Sequence, residues 1–428
     1  MKVLISGAGI AGNALAFWLS KLGHSVTVLE RFPNLRASGL QVDLRGHGIE
    51  VLKRMGLESA FRSKAVPELG MQIVDSSGRR RAYFPARKSN DGAQQQQGFT
   101  SEFEILRVDL CRILYDATKR DVRYVFGTSV EECEERDTGL EVRFANGESG
   151  RFDILVGADG QRSRTREMMR GPDVDVEDAF HPLDEYTAYF TIPRPMDARE
   201  EYLATSYIAP GGRFILTRRH DPDRTQVYLT GRSVTDRLRG VKRGDVREEK
   251  KVFAEVFRGA GWQADAIIES MMEADDFYCE SQGLVKLDPW YKGHVALLGD
   301  AAYCPSASTG MGTSSAIVGA YILAGEISRH CGLAGGEVEE EEQAKASYTA
   351  AFQAYDTKFR PFMNQIQKGV GDPSVFDKIQ WSPLTIGILY WVMWVVSCLR
   401  LDLFEAYLSD QPVKGWDLPE YESLKSAQ

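Results

Sequence analysis

Six residues near the N-terminus, Gly7-Ala8-Gly9-Ile10-Ala11-Gly12, constrain the fold more than anything else in the chain. They follow residues 2–6 (KVLIS), an apolar, β-branched run that reads as a buried parallel strand. They precede residues 13–22 (NALAFWLSKL), whose composition is helical and which Gly23 closes as a C-terminal glycine does. Residues 24–29 (HSVTVL) read as a second strand, completing a β–loop–α–β unit. In such a unit the first glycine permits the tight turn and the second lets backbone approach a pyrophosphate. The third lets the helix pack closely on the strand, and the helix N-terminus offers N–H donors and positive dipole. Glu30 ends the second strand, where a carboxylate accepts from ribose hydroxyls. The pattern specifies an ADP moiety and leaves NAD and FAD both open.

The remaining length bounds what surrounds that unit. The chain has 428 residues, 43% hydrophobic and 26% charged, which predicts two or three globular domains and excludes collagen-like, disordered and disulfide-scaffold classes. A net charge of −9 argues against a surface built to grip nucleic acid. The six cysteines are scattered with no CxxC, and the six histidines show no HExxH pairing, so no metal site is expected. Reduced thiols and a start without a secretory pattern predict a cytoplasmic protein. Residues 381–399 (WSPLTIGILYWVMWVVSCL) carry no charge and approach the length of a membrane span. Dilution by Ser382, Pro383, Thr385, Gly387 and Ser397 favours a buried or interdomain helix over membrane contact.

Two further segments carry chemistry. Residues 153–160 (DILVGADG) are followed by Ser163 and Arg166. Residues 293–312 (GHVALLGDAAYCPSASTGMG) deliver Asp300 to the C-terminal end of a buried strand, the ligand-binding edge of an open α/β sheet. Gly310 and Gly312 then open a helix whose N-terminus suits an anionic ring or oxygen. Between these segments, residues 180–232 form short β-type runs separated by Pro and Gly, an antiparallel sheet inserted between nucleotide-binding parts. Tyr189, Tyr207, Arg213, Phe214 and Tyr228 are candidate pocket residues on it. A helix around residues 43–62, a turn at residues 75–78 and a loop over residues 86–100 complete the reading.

In this order and spacing, the GxGxxG with Glu30, the DG segment and the GD segment resemble the three fingerprints of FAD-dependent aromatic hydroxylases. These are the class A flavoprotein monooxygenases of the para-hydroxybenzoate hydroxylase fold, and residues 283–302 (GLVKLDPWYKGHVALLGDAA) resemble their tetracycline-inactivating branch. The resemblance implies an α/β fold: a Rossmann-like FAD-binding domain of residues 1–70, 101–178 and 285–370, and a substrate domain of residues 71–100 and 179–284. A C-terminal bridging helix and tail would occupy residues 371–428. It implies that Gly7, Gly9 and Gly12 meet the FAD pyrophosphate, Glu30 the ribose and Arg31 the adenine end. Arg107 would approach the phosphates or ribityl chain, Asp159 would serve both FAD and NAD(P)H, and Asp300 would bind ribityl hydroxyls. Gly310 and Gly312 would face the pyrimidine side, with Gln41 and Arg45 in a segment running along the flavin. The implied activity consumes NADPH or NADH and O2 and inserts one oxygen, through a flavin C4a-hydroperoxide, into an aromatic or polycyclic small molecule. A monomer or homodimer is expected. Departures from the family pattern at Ala307, Ser314 and Gly319 touch the loop beside the flavin. A flavin oxidase or reductase, and a non-catalytic flavin-fold binding protein, stand as alternatives, and no residue in the sequence declares itself a catalytic base.

Overall fold

The structure is a computed structural model that describes residues 1–35, 39–86, 103–136, 139–171, 179–198, 200–332, 341–372, 381–399 and 413–426. The N-terminal unit forms as its sequence pattern dictates. Strand Lys2–Ser6 is buried from Val3 onward, helix Ile10–Lys21 follows, and Gly23 turns the chain into strand Ser25–Glu30. Lys2–Ser6 pairs in parallel with Ser25–Glu30 on one side and with Ile154–Gly157 on the other. The six-stranded sheet is completed by Arg123–Phe126 at one edge and by Val295–Leu297 with Tyr291–Lys292 at the other. Its central strands are almost wholly apolar because both faces are covered: Val3, Ile5, Val26 and Val28 pack with the helices, and Leu4, Leu29 and Leu155 pack with Val130, Leu140, Val142 and Phe144 on the other side. Helices Ile10–Lys21 and Gly312–Cys331 contribute Trp18, Ile317 and Tyr321, among others, to one large core cluster.

The second sheet has seven strands in the order Tyr278–Val285, Phe180–Pro193, Arg224–Gly231, Arg213–Arg219, Leu203–Ala209, Gly70–Val74 and Arg80–Pro85. It is mixed rather than wholly antiparallel, because Gly70–Val74 enters from an earlier part of the chain and pairs in parallel with Leu203–Ala209. Helices Val246–Phe257 and Ala264–Glu273 close one face around Phe253, Phe257 and Met271. The other face turns toward the first sheet. The helix expected within residues 43–62, at HGIEVLKRMGL, forms as His47–Arg54, and a second short helix, Glu58–Arg62, follows Gly56 in the left-handed region. The hairpin beyond Asp75 is present, and most of the loop expected over residues 86–100 lies outside the described residues. Where a small hairpin was expected around residues 137–147, a three-stranded meander of Val130–Arg136, Gly139–Phe144 and Ser149–Phe152 stands.

The apolar C-terminal segment is a helix, Pro383–Leu399, but it is not buried. Leu389, Tyr390, Met393 and Val396 pack on Ile73, Ala82 and Phe84, and the Tyr390 hydroxyl donates to the Ile208 carbonyl at 3.2 Å. Leu384, Ile388, Trp391 and Trp394 are exposed on the remaining surface. Uniform apolarity points to burial on all sides, whereas this helix has the sheet as its partner on one side. Among the described residues, no helix is long and apolar enough to cross a membrane. Further on, Tyr421 inserts beside Gly325 and its hydroxyl donates to the buried Glu326 carboxylate at 2.5 Å, which Lys358 also engages.

Candidate active site

A cavity of about 790 Å³ lies between the two sheets, and a smaller one of about 280 Å³ adjoins it at the ends of the first sheet's strands. Gly9, Arg107, Ala158 and Gly160 line both, so the two meet along the first glycine loop. Gly7, Glu30, Arg31 and Asp159 stand in the smaller cavity. Gln41, Arg45, Asp300, Gly310 and Gly312 stand in the larger.

The glycine loop separates three roles. Gly7 has φ +110°, and a Cβ there would strike the Ala158 carbonyl at the end of the neighbouring strand. A Cβ on Gly12 would overlap the Gly7 carbonyl oxygen, so Gly12 sets helix–strand packing and does not face the cavity. A Cβ on Gly9 would meet nothing within 4 Å, which leaves the space in front of the helix to a ligand. Gly9 is the N-cap of Ile10–Lys21, and no side chain caps that helix. Helix Gly312–Cys331 likewise starts at the cavity without a side-chain cap, just after Gly310 in the left-handed conformation at φ +64°. Uncapped helix starts leave backbone N–H groups without intrahelical partners and present positive dipole. Two of them opening into one space form a cradle for anionic or carbonyl oxygens, which is the fit that FAD requires.

The polar groups around the cradle are tied down. Glu30 accepts from the Ala8 N–H at 3.0 Å and the Phe32 N–H at 3.1 Å, fixing its carboxylate at the mouth of the smaller cavity. Arg31 lies over the Phe32 ring, 4.9 Å from its centroid. Asp159 accepts from the Ser163 hydroxyl at 2.5 Å and from the Thr165 N–H and hydroxyl, each at 3.1 Å, so its carboxylate shapes the DG turn. Arg166 joins this turn to the GD segment, donating to the Gln161 and Ala301 carbonyls at 2.9 Å. Arg107 heads helix Arg107–Asp116 at the junction of the cavities. Burial opposes its charge, yet Glu280 and Asp300, among other groups, hold it above the usual guanidinium range. Burial raises Asp300 above the usual carboxylate range, with Arg107 pulling it back. The Gln161 Oε1 atom is buried without a partner on the wall of the larger cavity, an acceptor that waits for a donor.

Both residues of the flavin-side segment stand on the larger cavity. Arg45 pairs with Asp43, and its guanidinium carbon would lie 3.6 Å from a Cβ on Gly310, beside the second helix start. The Gln41 side chain is held by two acids, donating to Glu68 at 3.1 Å and to Glu104, on the same cavity wall, at 2.8 Å. Of the candidate pocket residues on the inserted sheet, Tyr189, Phe214 and Tyr228 line the larger cavity. Tyr207 and Arg213 do not: the Tyr207 hydroxyl bonds the Ala260 carbonyl, and Arg213 donates to the Pro210 and Val256 carbonyls. In a strand, alternate residues face opposite sides, and these two stand on the helix-covered face. Glu104, Arg218, Tyr278, Glu280 and Gln282, which carry no motif in the sequence, also stand on the larger cavity wall. The alternation Phe214, Leu216, Arg218 would have pointed to Arg218.

Comparison with known proteins agrees with this geometry. Residues 1–341 match the FAD binding domain family. The chain is 47% identical over 431 residues to the FAD-dependent monooxygenase asL4 of Sarocladium schorii, covering 99% of each chain. It is 41% identical over 376 residues to the flavin-dependent monooxygenase eupH of a Phoma species, covering 85% of this chain and 84% of that one. Among solved structures, the tetracycline destructase Tet(51) superposes with a TM-score of 0.72 at 29% identity, over 98% of this chain and 99% of that one. The chain therefore belongs to the FAD binding domain family of flavoprotein monooxygenases. It is an FAD-dependent monooxygenase with the class A fold.

Proposed function

We propose that this enzyme oxygenates an aromatic or polycyclic small molecule of specialised metabolism, with NAD(P)H as reductant. The observation that carries this reading is the continuity of the glycine cradle with a cavity walled by Tyr189, Phe214, Tyr228 and Tyr278. Tyr189 meets Tyr228 edge-on at 5.4 Å and Tyr278 at 4.9 Å, a cluster suited to flat rings. The relative named a tetracycline destructase supports a polycyclic substrate.

When bound, FAD supplies the redox chemistry with NAD(P)H and O2. The chain's own residues hold and shield it. Gly7, Gly9 and the first helix start would take the pyrophosphate, with Gly12 packing that helix on its strand, Glu30 on the ribose and Arg31 at the adenine end. Arg107 and Asp300 would bind the linker between the two ends, Gly310 and Gly312 would face the ring, and Arg45 would stand beside them. Asp159 would act by holding the DG turn in shape, and Gln41 by positioning the acids behind it. The seven-stranded sheet roofs the larger cavity and excludes water from it, which protects a reactive centre from side reactions. We assign residues 1–70, 101–178 and 285–370 to the FAD-binding domain, 71–100 and 179–284 to the substrate domain, and 371–428 to a C-terminal segment touching both. Six cysteines, none in a disulfide among the described residues, support a reducing, cytoplasmic setting. A monomer or homodimer is in keeping with a cavity built by one chain.

The test is NAD(P)H and O2 consumption by the purified holoenzyme with aromatic polyketides, indoles and terpenoid phenols, run under labelled O2. One labelled oxygen in an organic product is expected for one of these classes. Hydrogen peroxide accounting for all the O2 consumed, with every class, would instead mark an oxidase.

A further inference from the structure

Behind the aromatic wall, five charged side chains from four separate stretches of chain share one buried patch. The Arg218 guanidinium grips Glu68 with two bonds, Nε to Oε2 at 2.9 Å and Nη2 to Oε1 at 2.7 Å. The same Nη2 donates to Glu104 Oε2 at 2.5 Å, which also accepts from Gln41 Nε2 at 2.8 Å. Asp43 and Arg45 pair alongside. The Glu68 and Glu104 side chains are 0% and 1% exposed. The Tyr228 phenol, which burial pushes up to about 12, adds no charge and bonds Gln226 at 3.3 Å.

Three carboxylates thus face two guanidinium groups, and the patch is one proton short of neutrality. Two carboxylates sharing one cation cannot both stay ionised cheaply away from water. Glu68 takes the Nε/Nη2 edge of the Arg218 fork with both oxygens, whereas Glu104 has a single bond shared from Nη2, so Glu104 is the surplus acid. Glu104 also lines the larger cavity, together with Arg218 and Tyr228, whereas Glu68 does not.

We propose that Glu104 is the proton acceptor for a hydroxyl of the bound substrate, and that Arg218 holds the resulting oxyanion. This rests on the aromatic-substrate reading above. The substrate O–H bond breaks and a Glu104 Oε–H bond forms. The electron pair stays on the substrate oxygen, and the charge of the site is unchanged. Neutralising Glu104 releases part of the Arg218 charge, which then faces the new phenolate or enolate. The ring so activated is the electron-rich partner that oxygen transfer needs. Burial raises Glu104 to about 7 against the pull of Arg218, with Glu68 and Asp43 pushing the same way and Gln41 opposing. A base in that range is half-loaded at neutral pH, where general-base catalysis is most effective.

The test reads two signals together on the oxidised FAD holoenzyme, in weak buffer near pH 8, about one unit above that midpoint. The probe phenol is 2-naphthol, which is neutral at that pH and whose phenolate absorbs apart from the phenol. An indicator dye counts protons released. Wild-type enzyme is expected to show the phenolate band with no proton released, because Glu104 keeps it. Glu104→Gln is expected either to bind the neutral phenol or to form phenolate with one proton released per molecule bound. Turnover of a true substrate by Glu104→Gln should fall about 100-fold, the lower end for a lost general base. Glu68→Gln removes the neighbouring like charge, so it should move the acid limb of the wild-type rate profile to lower pH, a shift that a purely structural role would not produce. One proton released per phenolate in wild type, or no phenolate band on binding, overturns the proposal. So does a Glu104→Gln enzyme that matches wild type in both signals. Failure of wild type to bind the phenol, or to be stimulated by any aromatic compound, overturns the aromatic-substrate reading and the proposal with it.

Discussion

The cofactor cradle and the acid-bearing wall lie in the same cavity but are built in opposite ways. The cradle is made of backbone: glycines, uncapped helix starts and turns, each fixed by residues adjacent in sequence. The wall is made of side chains that converge from far apart, as when Gln41 N–H donates to Gln226 Oε1 across 185 residues at 2.9 Å. Backbone cradles tolerate no added atoms, whereas side-chain clusters tolerate changes of shape and respond to changes of charge. Substitutions should therefore fail differently in the two.

The largest expected effect is in the cradle. Gly12→Val places atoms where the Gly7 carbonyl already sits, so it should abolish a folded FAD-binding domain, read as loss of soluble protein or of its circular dichroism. Gly9→Leu has room within the protein, and its backbone at φ −76° accepts any residue, so it should fold and yet be purified without flavin. A yellow Gly9→Leu enzyme would break the assignment of that space to the cofactor.

Next comes Arg218→Met, which strips the cation from two buried carboxylates. The expected loss is about 3–5 kcal/mol in chemical unfolding, the range for breaking a buried pair. Smaller is Asp300→Asn, which should weaken FAD binding by about 10- to 100-fold, the equivalent of one hydrogen bond to a charged group. Equilibrium dialysis with FAD would measure it.

The smallest effect is on the pH dependence of stability. Glu104 has a native pKa of about 7, raised from its unfolded value of 4.5, so its protonated form is favoured by folding. The stability this gives is full below pH 4.5 and is lost as pH rises through 7. Glu104→Gln should flatten that decline. An unchanged slope would show that the acids share their proton differently.

The same contrast explains what the sequence made legible. The β–loop–α–β unit, Glu30 and the GD segment announce themselves because the residues that cooperate there are neighbours, and glycine's conformational permissions leave a spaced signature. Residues 71–100 fall in the expected substrate domain, but Gly70–Val74 is not marked in the sequence as one of its strands, because nothing local tells a strand which distant partner it will join. Glu104 left no mark, because its role is defined by Glu68 and Arg218, the latter 114 residues away. Tyr207 and Arg213 resemble Tyr228 and Arg218 in type, and the two-residue alternation of the strand separates them. For helix Pro383–Leu399, uniform apolarity gave the helix but not the side it presents to the sheet.

The most direct measurement is the flavin absorbance per folded polypeptide of purified wild type, Gly9→Leu and Glu104→Gln, compared side by side. A cradle of backbone joined to a separable wall of acids predicts yellow wild type, colourless but folded Gly9→Leu, and Glu104→Gln as yellow as wild type. A colourless wild type that cannot be reconstituted with FAD, or a Glu104→Gln enzyme that loses flavin as Gly9→Leu does, would contradict it.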